Sequence, residues 1–154
     1  MPRPQNRSKR HIAPKALVAA LRNQPKPTAV LVVYPKDDPE AFWLEMEIFN
    51  DLTEAKWNVS FLVHIQPDER LPIGPSATYV DGNYAGVTIV TKRMTAPPYD
   101  RNVPFDALFR ALRDALTAAS ITKPDTLFGG GNESSPEGVL RIVVGSKQAP
   151  YFVP

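Results

Sequence analysis

No cysteine occurs in this chain, histidine occurs only twice, and no apolar run is long enough to cross a bilayer. The missing thiols exclude disulfide scaffolds, cysteine nucleophiles and thiolate zinc sites. Few of the usual catalytic residue types remain, and no motif ties the rest to a reaction. A bilayer span needs roughly 18–20 apolar residues. The basic start, MPRPQNRSKRHIAPK, has no apolar stretch behind it that could act as a secretory signal. The expectation is a cytoplasmic protein with no membrane span, no cofactor and no metal site.

A chain of 154 residues, 43% hydrophobic and 22% charged, is the size and composition of one globular domain with a real core. Its seventeen prolines sit mainly at element edges, where they act as punctuation. Charge is unevenly placed. Arg3, Arg7, Lys9, Arg10 and Lys15 give the first fifteen residues five positive charges and no acid, while the body beyond them is mildly acidic. Residues 1–13 therefore read as a basic flexible tail, and 14–154 as a single α/β domain. Such an arm suits a nucleic acid or another polyanion, although it lacks the interleaved aromatics of a single-strand binder.

Apolar runs at Ala29–Tyr34, Val59–Ile65, Val87–Val90 and Val139–Val144 read as strands. A short helix at Lys15–Asn23 precedes them, opened by Pro14 and closed by Pro25-Lys26-Pro27. Asp38-Pro39-Glu40 is a helix start, with a cap, a proline in the first turn and an acid near the positive end of the dipole. The helix it opens, Glu40–Lys56, carries two apolar stripes. Ala41, Leu44, Ile48, Leu52 and Ala55 form one; Phe42, Met46 and Phe49 form the other, with Glu45 between them. Glu45 is expected to reach solvent or a basic partner, and Glu47 and Glu54 to belong to a solvated face. The helix at Phe105–Ala119 turns Leu108, Leu112 and Leu116 to one side, with Asp106–Arg110 and Arg110–Asp114 as ion pairs four apart. A further strand at Ala77–Val80 ends in the tight turn Asp81-Gly82-Asn83.

This order predicts an α/β two-layer sandwich, βαββαβ. The sheet is expected to be four-stranded, mixed or antiparallel, on two main helices and ferredoxin-like in outline. The alternative is a three-layer fold with parallel strands.

Candidate sites are few. The run Gly129-Gly130-Gly131-Asn132 has the glycines of a phosphate cradle, but a strand follows it and no GK[ST] is present, so it reads as a flexible loop. Asp37 follows the first strand at its C-terminal end, where open α/β sheets bind ligands, and with the Gly129–Gly131 loop it supports a nucleotide-binding or hydrolase alternative. His64 and Ser60 stand about 13 Å apart along one strand, too far for a nucleophile–base pair. The second apolar stripe is wider than one sheet contact needs, and Trp43 extends it. Phe42, Trp43, Met46 and Phe49 are therefore the candidate interface for self-association or another protein.

The segments Pro39-Glu40-Ala41, Leu52-Thr53-Glu54-Ala55-Lys56-Trp57, Leu108–Leu116 and Val144-Gly145-Ser146-Lys147 resemble a loose group of small uncharacterised bacterial α/β proteins. Many of that group carry one N-terminal membrane helix, which is absent here. The resemblance implies an α/β fold and transfers no activity or site residues. The functional expectation is a non-catalytic interaction or assembly domain, with nucleic-acid binding through Arg3, Arg7, Lys9, Arg10 and Lys15 as the second reading.

Overall fold

Capping chemistry and apolar periodicity set the element boundaries. The computed structural model describes residues 10–34, 38–61, 79–80, 83–84, 86–92, 95–96, 100–119, 127–131 and 135–145. In chain order the elements are α1 (Ala16–Leu21), β1 (Ala29–Val33), α2 (Pro39–Glu54), β2 (Val59–Phe61), β3 (Tyr79–Val80), β4 (Asn83–Tyr84) and β5 (Val87–Thr91). They continue with β6 (Thr95–Ala96), β7 (Asp100–Arg101), α3 (Val103–Ala119), β8 (Leu127–Gly131) and β9 (Val139–Val144).

The cap read from the sequence forms: the Asp38 side chain accepts from the Ala41 N–H at 3.0 Å, with Pro39 in the first turn of α2. The far end closes by a Schellman-type pair, Trp57 N–H to Leu52 C=O and Lys56 N–H to Thr53 C=O. It puts Lys56, a non-glycine residue, in the left-handed region at φ 71°. Asn102 caps α3 by accepting from the Phe105 N–H at 3.1 Å, and its amide donates to Thr91 Oγ1 at 3.0 Å, tying the helix start to β5.

Five strands form one mixed sheet in the order β2-β1-β9-β5-β8. β1 runs parallel to β2, with Val30 opposite Val59, and parallel to β9, with Val30 opposite Leu140. β5 is antiparallel to β9, with Ile89 opposite Ile142, and parallel to β8, with Ile89 opposite Gly129. β3–β4 and β6–β7 form two separate, small antiparallel pairs. The sheet and the helices bury a shared core: Val30, Val32, Ile89, Leu140 and Ile142 meet Leu44, Ile48 and Leu52 of α2, Leu108, Leu112 and Leu116 of α3, and Leu17 and Leu21 of α1. The α/β sandwich and the mixed sheet match the reading of the sequence.

Three expectations are corrected. The sheet has five strands, not four, because Leu127–Gly131 is a strand and not a flexible loop. Gly129 pairs with Ile89, and a Cβ there would lie 2.8 Å from Phe105 Cζ and 3.1 Å from Phe109 Cε2. The glycine lets those two stacked rings lie against the strand. The order also departs from a ferredoxin-like outline: β1–α2–β2 places its two parallel strands side by side, with no strand inserted between them. Finally, Arg10 and Ile12, expected in the flexible tail, are buried and belong to the packed body.

Candidate functional site

Helix α2 organises most of the polar chemistry in the fold. At 100° per residue, Glu40, Glu47, Asp51 and Glu54 fall on one flank, and all four hold residues 10–17, the segment leading into α1 and its first turn. Glu40 receives the Arg10 backbone N–H at 2.8 Å, its Nε at 2.9 Å and its Nη2 at 2.7 Å, while that same Nη2 donates to the Gly145 carbonyl at 2.6 Å. Glu47 accepts the Ile12 N–H at 3.1 Å and meets His11 Nδ1 at 2.9 Å. Asp51 accepts the Leu17 N–H at 3.2 Å, supplying from another helix the cap that Lys15 does not give α1. Burial raises the Asp51 carboxyl above its usual range, against the opposing effect of the Leu17 N–H. Lys15 donates to Glu54, and that hydrogen bond raises the lysine and lowers the glutamate.

These contacts change the reading of the basic arm. Arg10, only 4% exposed, is bound to Glu40 and Lys15 to Glu54, acids of their own chain, while Glu47 holds His11 and Ile12 between them. The sequence signal was present but divided, with five bases in one place and an acidic flank thirty residues later. Arg3, Arg7 and Lys9 lie outside the described residues, as do Asp37 and His64.

Phe42, Met46 and Phe49 fall on the opposite, outer side of α2, and Trp43 falls between Met46 and the acidic flank. Trp43 is 59% exposed, and Phe42, Met46 and Phe49 are half-buried. Phe42 stands between Tyr34 and Trp43, with ring centroids 5.4 Å apart on each side, tilted by 60° to the tyrosine and by 69° to the indole. Edge-to-face pairs of this kind hold the rings in place and keep the outer face of the last one open. The second tryptophan is different: Trp57 is 3% exposed, and its indole N–H donates to the Leu21 carbonyl at 3.1 Å.

Glu45 was expected at solvent or on a basic partner. It is fully buried, and neither carboxylate oxygen has a hydrogen-bond partner among the described residues. Removal from water disfavours its charged form and pushes the carboxyl up to about 8, so it is neutral at pH 7. Its position between the two apolar stripes pointed at this outcome, since both stripes are covered in a wide apolar arc.

A groove of about 330 Å³ runs between α1 and α3, with Ala20, Ala107 and Ala111 along it and Asp106, Arg110 and Asp114 among its polar lining. Asp114 pairs with its neighbour Arg113 at 3.2 Å. Among the described residues no three potential metal-ligating side chains come together, and no helix is long and apolar enough to cross a membrane. Compared with known proteins, the chain matches no protein-family model, no curated protein and no solved structure.

Proposed function

We propose that this protein is an interaction or assembly domain that contacts a second copy of itself through the outer face of α2. The observation that supports this reading is Trp43, the one large hydrophobic residue of α2 that is exposed, at 59%, against the Phe42 ring. Tryptophan is enriched at the centres of protein interfaces because it adds large rigid area at low entropic cost. Phe42, Met46 and Phe49 extend the surface at its half-buried margin. The polar flank of α2 is already occupied by the Arg10–Leu17 segment, which leaves the aromatic side for a partner.

Sedimentation velocity over a wide concentration range tests this. The native chain associates reversibly, and Trp43→Ser shifts it to monomer while the far-UV spectrum and melting temperature stay close to native. A native chain that remains monomeric at the highest concentrations, or a Trp43→Ser variant that associates equally well, overturns the reading.

A further inference from the structure

We propose that Arg141 and Lys92 form a binding site for a phosphate monoester, on the face of the five-stranded sheet that turns away from the helices. Val30, Val32, Val87, Ile89, Leu140 and Ile142 join the helical core. Strand alternation sends the residues between them to the other face. There Leu31 of β1, Arg141 of β9 and Val90 of β5 stand side by side in one row. The same period, carried one residue past the end of β5, brings Lys92 to this face, diagonal to Arg141. Positions so related have Cα atoms about 7–8 Å apart, within reach of two long side chains.

These two cations are held unlike the others in the fold. Both residues are half-buried, and among the described residues neither side chain has a hydrogen bond or an ion pair. Arg141 Nε is covered and has no acceptor. By contrast, Arg10, Lys15 and Arg113 pair with carboxylates, and Lys26 donates to two backbone carbonyls. The side chains of Arg22, Lys56 and Arg110 also lack such a bond among the described residues, but they are exposed, and water serves them. Like charges at neighbouring, partly dehydrated positions repel, and cost stability until an anion joins them.

Thr88 supplies a second, independent sign. It lies opposite Val143 on the same face, diagonal to Arg141, is 1% exposed, and its hydroxyl has no hydrogen-bond partner. Buried hydroxyls are nearly always bonded, because leaving one bare forfeits its hydration for nothing. Guanidinium and ammonium groups carry donors only, so the set calls for a negatively charged acceptor. A phosphate monoester brings about 1.5 to 2 negative charges at pH 7 and three terminal oxygens, enough for both cations and the hydroxyl. A carboxylate neutralises one cation and leaves the other. The organic part of the ester has an apolar bed beside the cations, where Ala29, Leu31 and Val139 are half-buried on the same face. The site lies apart from the outer face of α2 and does not depend on the interface proposed there.

Calorimetric titration of the full chain tests the site, with phenyl phosphate and benzoate as probes at about pH 7.5, where the monoester is a dianion. Phenyl phosphate is expected to bind saturably, one per chain, and benzoate, which has the same ring, about tenfold more weakly or worse. Arg141→Met keeps the apolar stem of the side chain. It and Lys92→Gln are each expected to weaken phenyl phosphate by about tenfold or more. Without ligand, both variants should melt at or above the native temperature, because each removes one of two repelling charges. An arginine that merely held the fold would lower the melting temperature on substitution and leave binding unchanged, and that result overturns the proposal.

Absence of saturable phenyl phosphate binding overturns it too, as does binding that survives both substitutions. Equal affinity for benzoate refutes the phosphoryl assignment. If a single-stranded oligonucleotide binds through Arg141 and Lys92 while phenyl phosphate does not, the occupant is a nucleic-acid backbone and the monoester site falls.

Discussion

Replacing Glu45 by glutamine keeps the shape of the side chain and removes its proton equilibrium. The magnitude follows from the site. The carboxyl is fully buried, neither oxygen is hydrogen-bonded among the described residues, and burial moves it from 4.5 to about 8. The folded state therefore holds this proton more tightly than the unfolded chain does. Stability from this group is fully present below pH 4.5, falls as pH rises above that value, and stops falling near pH 8. At 1.36 kcal/mol per pH unit, the loss is about 3 kcal/mol by pH 7 and about 5 kcal/mol by pH 9. Chemical unfolding followed by circular dichroism, at intervals from pH 4.5 to 9, measures it for both proteins. Other titrating groups, including Asp51, cancel in the difference between native chain and Glu45→Gln. The two are expected to be similar near pH 4.5, with the variant increasingly the more stable above it. Parallel stability curves across the whole range would show that Glu45 is ionised and paired in the folded protein, and would refute this reasoning.

Arg10→Ala removes the guanidinium of a part-buried ion pair, leaving Glu40 only the backbone N–H of residue 10 and the Gly145 carbonyl without that donor, at a cost of about 3 kcal/mol. Deleting residues 1–13 has the same sign, and calorimetry should record a melting temperature lower by several degrees, not an unchanged one. Lys56→Gly relieves a left-handed backbone at the end of α2 and is expected to stabilise by about 1 kcal/mol in urea unfolding. Gly129→Ala forces a methyl group against the Phe105 ring and should cost about 1–3 kcal/mol, visible as a lower denaturation midpoint.

The docking of the N-terminal segment also says how α1 survives. A helix of six residues cannot hold itself in water. Leu17 and Leu21 are wholly buried, Asp51 receives its Leu17 N–H, and the Trp57 indole caps the Leu21 carbonyl. Helix α2 and the turn that follows it thus supply polar partners near both ends of α1.

What the amino-acid sequence determined by itself is local. The Asp38-Pro39 start, the leucine face at Leu108–Leu116 and the Val139–Val144 strand depend on capping and periodicity, which act over a few residues, and each was legible. Strand order was not legible, because β9 inserts between β1, more than a hundred positions away in sequence, and β5, more than fifty away. The glycine run looked like a loop because local propensity penalises glycine in strands. Only the tertiary fold brings Phe105 and Phe109 to the space where a side chain would stand. The same holds for charge. Arg10 and Lys15 read as free, and Glu47 and Glu54 as solvated, until packing joined segments 30 to 39 residues apart. Burial likewise decided the state of Glu45: helical periodicity placed it among apolar neighbours, but only the closed core removed its water.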